Sequence, residues 1–202
     1  IDGLASGLGI MASVIFGGWF ILNRQIEYAV LAFSLTGGLV AFMRYNLARN
    51  HEKIFLGDTG SLLIGLILAV LSMKFLLVEP IRAASIQNTP LVLIVILGVP
   101  LFDTLRVFSS RIIRKQSPFM PDRIHIHHLL TNRNPDHRRA TLMIVSVNTV
   151  MVVVLSNIFS LVDSTIGTLI LALAFIAYLL LCYWLIKAKA NTFSGFMYKY
   201  LR

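Results

Sequence analysis

An aspartate set between glycines, just ahead of a long apolar run, is a place where phosphate and a hard cation can meet. Residues 55–61 read FLGDTGS. Gly57 and Gly60 let the backbone approach a ligand closely, and Asp58 offers the hard oxygens that Mg²⁺ takes beside substrate phosphate and water. A helix beginning here presents N–H groups and positive dipole that suit an anion. Thr59 or Ser61 is placed to cap it, and the plain alternative is that Asp58 is itself only the cap. Residues 1–7, IDGLASG, repeat the arrangement with Asp2. Two carboxylates at one membrane face can share a cation or a nucleotide.

Two further motifs lie later in the chain. Residues 121–130 read PDRIHIHHLL, and His125 and His128 share a face if the segment is helical. With His127 and Arg123 they can neutralise and orient a diphosphate. Zinc is the alternative, but no thiols accompany the histidines. A solvated loop that obeys only the positive-inside rule would need Lys and Arg, not His. Residues 100–106 read PLFDTLR, and a carboxylate at the edge of the hydrocarbon, here Asp103, is a functional candidate by default. Its alternative is a salt bridge to Arg106 at i, i+3.

The elements that must position these residues are membrane helices. The chain is 57% hydrophobic and 13% charged, with a mean hydropathy of +0.80, where a soluble domain carries about 25% charge. Runs near the length of about 20 residues that a crossing needs occur over 4–22, 28–46, 59–78, 89–107, 140–158 and 165–187. The expected fold is therefore an all-α polytopic bundle of six spans. The second run is interrupted by Thr36, Gly37 and Gly38, which suit a helix-packing surface. Pro100 predicts a kink in the fourth.

Of the 18 basic residues, 15 fall in 44–58, 106–139 and the tail from 187, which predicts a cytoplasmic position for those segments. Asp2, Asp58, Asp103 and all five histidines sort to that face. A transporter more often holds polar groups at the bilayer midplane, where this sequence offers almost none, so catalysis at the interface is the expectation. No nucleic-acid partner is expected. The single cysteine, Cys182, excludes an internal disulfide and a Cys-based metal site. Phe193, Phe196, Met197, Tyr200 and Leu201 recur at helical spacing beside Lys199 and Arg202, which suits a short helix on an anionic leaflet.

In this order, FLGDTGS and PDRIHIHH make the chain resemble the bacterial polyprenyl-phosphate N-acetylhexosamine-1-phosphate transferases, glycosyltransferase family 4. The likeness is greatest to the branch that moves GlcNAc-1-phosphate from UDP-GlcNAc to undecaprenyl phosphate, releasing UMP, as the first membrane step of O-antigen, enterobacterial common antigen or teichoic acid linkage synthesis. The sister branch uses UDP-MurNAc-pentapeptide and typically shows a Pro-Ile-His-His-His pattern where this loop has PDRIHIHHLL. The resemblance implies Mg²⁺ on Asp58, with Mn²⁺ substituting. It implies that Asp2 serves the nucleotide site as the second aspartate of a DGxDG motif, and that Phe55 lies next to the uracil. Arg123, His125, His127 and His128 would bind the diphosphate and sugar. Asp103 matches the acid of a PxFDT pattern, and Asn46 or Asn50 takes the place of a substrate-binding asparagine. It further implies a multi-pass protein of the inner membrane with its site facing the cytoplasm, and a homodimer. The first aspartate of DGxDG and an earlier Asp-Asp pair are absent. The expectation is thus a C-terminal part, inactive alone, with a transferase domain over 1–187, cytoplasmic loops at 47–58 and 108–139, and an amphipathic tail over 188–202. The rivals are a metal transporter, which would put histidines inside the spans, and a CDP-alcohol phosphotransferase, which would need several spaced aspartates on one helix.

Overall fold

Between Gly3, at a left-handed φ of 76°, and Asn23, a run of small and aromatic residues forms α1 (Leu4–Leu22). The computed structural model describes residues 2–48, 52–79, 86–113, 115, 117 and 137–200, with side chains over 138–184 in the last stretch. The remaining helices are α2 (Ile26–Asn46), α3 (Gly57–Leu77), α4 (Thr89–Ile96), α5 (Gly98–Ile113), α6 (His137–Phe159) and α7 (Ser164–Tyr200). Regular structure among the described residues is all helical, as the composition predicts. Five helices are long and apolar enough to cross a membrane, and α4 with α5 passes that test as a pair bent by 77°.

Helix α1 is the centre of the bundle, with 56% of its span buried against 11% for α7. Lipid tails are as apolar as leucine, so close backbone approach drives helix association in a bilayer. Gly9, Ser13 and Gly17 form one stripe on α1 and meet α2 at Leu39, Thr36 and Phe33. A Cβ on Gly9 would lie 2.8 Å from Leu39, and one on Gly17 would lie 2.7 Å from the Phe33 ring. The Ser13 and Thr36 hydroxyls are 2.8 Å apart between them. Beyond the stripe, Phe16, Trp19, Phe20 and Phe75 interlock, with centroids of Trp19 and Phe75 4.6 Å apart.

This corrects two expectations. Gly37 and Gly38 are not a packing surface here: both are exposed, and a Cβ on either would touch nothing within 4 Å. Each residue turns 100° around a helix, so Thr36 faces α1 and its two neighbours turn away. Nor is the bundle interior free of polar groups, since Ser13, Ser72 and Asn148 are buried, each hydrogen-bonded within the protein. Gly17→Val is therefore expected to lower stability by about 1–3 kcal/mol through overpacking, and Gly38→Val to leave it unchanged, measured by thermal unfolding in detergent.

The span over 89–107 is broken at Leu97, not merely kinked at Pro100. Pro100 has no N–H for the carbonyl four residues earlier and its ring crowds that carbonyl. The carbonyl is that of Ile96, and the Asn148 side chain takes over: Nδ2 donates to Ile96 O at 3.2 Å while Oδ1 accepts the Val99 N–H at 3.2 Å. Pro100 itself sits in the first turn of α5, where the missing donor costs little. Helix α7 runs through to Tyr200, so the terminal helix read from the sequence continues the last span.

Candidate active site

The start of α1, the end of α2, the start of α3 and the start of α6 converge at one end of the bundle. Asn46, the last residue of α2, ties them. Its Oδ1 accepts the Gly3 N–H at 2.6 Å and its Nδ2 donates to Ile54 O at 2.8 Å. Thr141 of α6 donates to the Asp2 carbonyl at 2.8 Å, and Arg138 donates to the Leu47 carbonyl. Lys53 Nζ lies 2.6 Å from the Asp2 carboxylate, an ion pair only partly buried, and 5.3 Å from the centre of the Phe55 ring.

These contacts frame a cavity of about 330 Å³ lined by Asp2, Ser6, Phe42, Asn46, Phe55 and Gly57 among others. Asp2, Asn46 and Phe55, singled out by the sequence, are thus brought together, and Asp58 follows Gly57 directly. Phe55 is 76% exposed, a flat apolar face at the cavity wall. Gly57, with φ at 65°, needs to be glycine.

Asp58 lies in the first turn of α3, past the start of the helix, and its residue is exposed. No side chain caps α3. That removes Thr59 and Ser61 as caps, because the chain becomes helical before them; the Ser61 hydroxyl instead donates to the Asp58 carbonyl at 2.8 Å. It equally removes the alternative in which Asp58 serves only as a cap. Gly60 gives its space to Leu56, whose Cδ1 would be 2.7 Å from an added Cβ, and not to a ligand.

Asp103 stands apart from the cavity. It is buried on α5, 2.8 Å from Arg106 Nη2, and accepts the Tyr178 hydroxyl of α7 at 3.0 Å. The salt bridge weighed as its alternative is the arrangement found. Arg123, His125, His127 and His128 lie outside the described residues.

Two groups escaped sequence reasoning. Lys53 counted only toward topology, although its place two residues before Phe55 marked it. Asn148, inside the apolar run of α6, had the signal of any polar residue in a span, which is costly and so has a reason. Among the described residues no three His, Cys, Asp or Glu side chains gather around one point. The exposed carboxylate of Asp58 fits Mg²⁺ in the mode that needs one or two carboxylates and completes its shell with substrate phosphate and water; it does not form a preassembled cage.

Fold and site together define a polytopic membrane protein with a cavity at one end of its helices, mostly apolar but edged by Asp2, Ser6 and Asn46. Residues 1–76 match the family described as Glycosyl transferase family 4. The chain is 36% identical over 149 residues to a probable undecaprenyl-phosphate N-acetylglucosaminyl 1-phosphate transferase of Bacillus subtilis, covering 71% of this chain and 38% of that protein. It is 35% identical over 160 residues to a decaprenyl-phosphate N-acetylglucosaminephosphotransferase of Mycobacterium leprae, covering 71% and 39%. Over 146 residues it is 30% identical to an undecaprenyl-phosphate alpha-N-acetylglucosaminyl 1-phosphate transferase of Escherichia coli K12, covering 71% and 38%. The chain therefore spans less than half the length of these curated relatives. No solved structure matches it.

Proposed function

We propose that the whole protein transfers GlcNAc-1-phosphate from UDP-GlcNAc to a polyprenyl phosphate at the cytoplasmic face of a bacterial inner membrane. The observation that carries this reading is the meeting of Asp2, Phe55 and Gly57 at one cavity on a bundle of membrane helices, with Asp58 the next residue along the chain. An acceptor phosphate oxygen attacks the sugar-proximal phosphorus of the donor. The bond from that phosphorus to the bridging oxygen breaks, UMP leaves, and polyprenyl-diphospho-GlcNAc stays in the membrane. Charge to be stabilised lies on the diphosphate oxygens, so positioning and electrostatics dominate. Phe55 offers the uracil a flat face, Asp2 serves the nucleotide, and the α3 N-terminus faces the phosphates. Asp58 would hold Mg²⁺, which when bound supplies positive charge against the diphosphate. Arg123, His125, His127 and His128 add cationic donors. The setting explains itself: the lipid tail stays in hydrocarbon while its phosphate meets a soluble nucleotide sugar at the helix ends.

Membranes containing the full-length protein, given polyprenyl phosphate, Mg²⁺ and radiolabelled UDP-GlcNAc, are expected to pass label into lipid with release of UMP, and EDTA is expected to stop it. Label taken only from UDP-MurNAc-pentapeptide would move the protein to the peptidoglycan branch. No label from any UDP-sugar would overturn the reading.

A further inference from the structure

At the end of the bundle away from Asp2 and Asp58, a second cavity of about 290 Å³ lies among α1, α3, α4 and α6. Its wall is mostly apolar, with Ile15, Phe75, Val92, Ile96 and Val152 contributing. Two residues of the wall each carry a polar atom that is shut off from solvent and has no hydrogen-bond partner among the described residues: Trp19 at its indole Nε1 and Ser156 at its hydroxyl. Trp19 is 6% exposed and its ring is pinned by edge contacts to Phe75 and Phe20, so the N–H cannot swing out to water. The other polar wall side chains bond their own helix: Asn157 donates to Val153 O at 2.7 Å and Ser160 to Asn157 O at 2.7 Å.

An indole nitrogen only donates, and a buried donor left without an acceptor is costly. The missing piece is an acceptor oxygen on an otherwise apolar body. Among the described residues no charged side chain lines the cavity, and nothing there is placed to pair with a phosphate headgroup. Water would satisfy the two groups but gains nothing from the apolar remainder of the wall. In a membrane, the ready source of a neutral acceptor on an apolar chain is the ester carbonyl of a phospholipid, at the depth where tryptophan N–H groups collect. We propose that this cavity binds the glycerol-ester segment of a membrane phospholipid. An ester carbonyl accepts the Trp19 N–H, the Ser156 hydroxyl donates to the same segment, and the first acyl carbons lie against Phe75, Val92 and Val152.

The test compares two lipids on the full-length protein in detergent. Diester phosphatidylglycerol is titrated beside its dialkyl ether analogue, which keeps headgroup and chains but lacks both carbonyls. Bound lipid is counted by native mass spectrometry and thermal unfolding is followed. The ether lipid is expected to bind about fivefold more weakly, the loss of one net hydrogen bond. Trp19→Phe, which keeps the ring and removes the N–H, should bring the ester lipid down to the ether value and leave the ether lipid unchanged. Equal binding of the two lipids to the unaltered protein would overturn the proposal, and that comparison stands even if the variant fails to fold. One-for-one displacement of phosphatidylglycerol by polyprenyl phosphate would also overturn it, giving the cavity to the isoprenoid lipid.

Discussion

Asp58→Asn in the full-length protein is expected to lower transfer by at least about 10²-fold, the scale of losing one group that stabilises transition-state charge, while stability falls by no more than about 1 kcal/mol. The two halves of that result come from one geometry. Asp58 is exposed in the first turn of α3, and no side-chain cap bond is lost with it. Asparagine keeps its shape and is tolerated in a first turn. The structural cost is then confined to the charge–dipole interaction at a helix N-terminus, about 0.3–1 kcal/mol. What asparagine cannot keep is a hard anionic oxygen for a divalent cation. If the role is metal binding, excess Mg²⁺ should recover part of the lost rate; if turnover is near normal, Asp58 has no part in the chemistry. Asp2→Asn makes a useful contrast, because it also breaks the ion pair with Lys53. That pair is partly exposed and contributes at most about 1 kcal/mol, so a large fall in activity there would come from the nucleotide site and not from unfolding.

The parts of this protein legible in its sequence are those that depend on one residue's neighbours along the chain. Apolar run length set every span's start, and the ends of α1, α2, α3 and α6, to within a few residues, because an unsatisfied backbone group in lipid leaves the chain little choice but to coil; it missed the break at Leu97 and the continuation of α5 to Ile113 and of α7 to Tyr200. FLGDTGS placed a glycine where the backbone is left-handed and an aspartate at a helix start, both local facts. The convergence of Asp2 with Phe55 was legible through topology alone, since alternate helix ends must share a face. What stayed hidden depends on rotation about helix axes. Thr36, Gly37 and Gly38 are adjacent in sequence yet only Thr36 meets α1, and the stripe it meets, Gly9, Ser13 and Gly17, is spread over two turns. The resemblance implies a substrate-binding asparagine at Asn46 or Asn50; Asn46 lines the cavity, but both ends of its amide hold backbone in place. No spacing rule tells a ligand from a strut when a single side chain is within reach of both.

Asn148 is the clearest case, and its replacement carries the largest expected loss of stability. The residue is fully buried, and its amide closes the break between α4 and α5 by satisfying Ile96 O and the Val99 N–H together. Asn148→Leu leaves one backbone acceptor and one backbone donor bare in an apolar interior. At about 1–3 kcal/mol for each stranded group, the expected cost is about 2–6 kcal/mol. That exceeds the average of about 0.6 kcal/mol for polar contacts between membrane helices, because here the partners are main-chain atoms at a fixed bend with no rotamer to find another partner. A loss near the average would mean that water or the helix itself repairs the break. The second variant separates stability from aim. With Pro100→Ala added, residue 100 regains an N–H that can donate to the Ile96 carbonyl, so α4 and α5 can join as one helix and recover part of the lost stability. Joining them removes the 77° bend and re-aims α5, which carries Asp103 and Arg106 and leads into the segment bearing Arg123, His125, His127 and His128. The double variant should therefore unfold at a higher temperature than Asn148→Leu and yet transfer no better. If activity returned together with stability, the bend would be shown to serve packing alone.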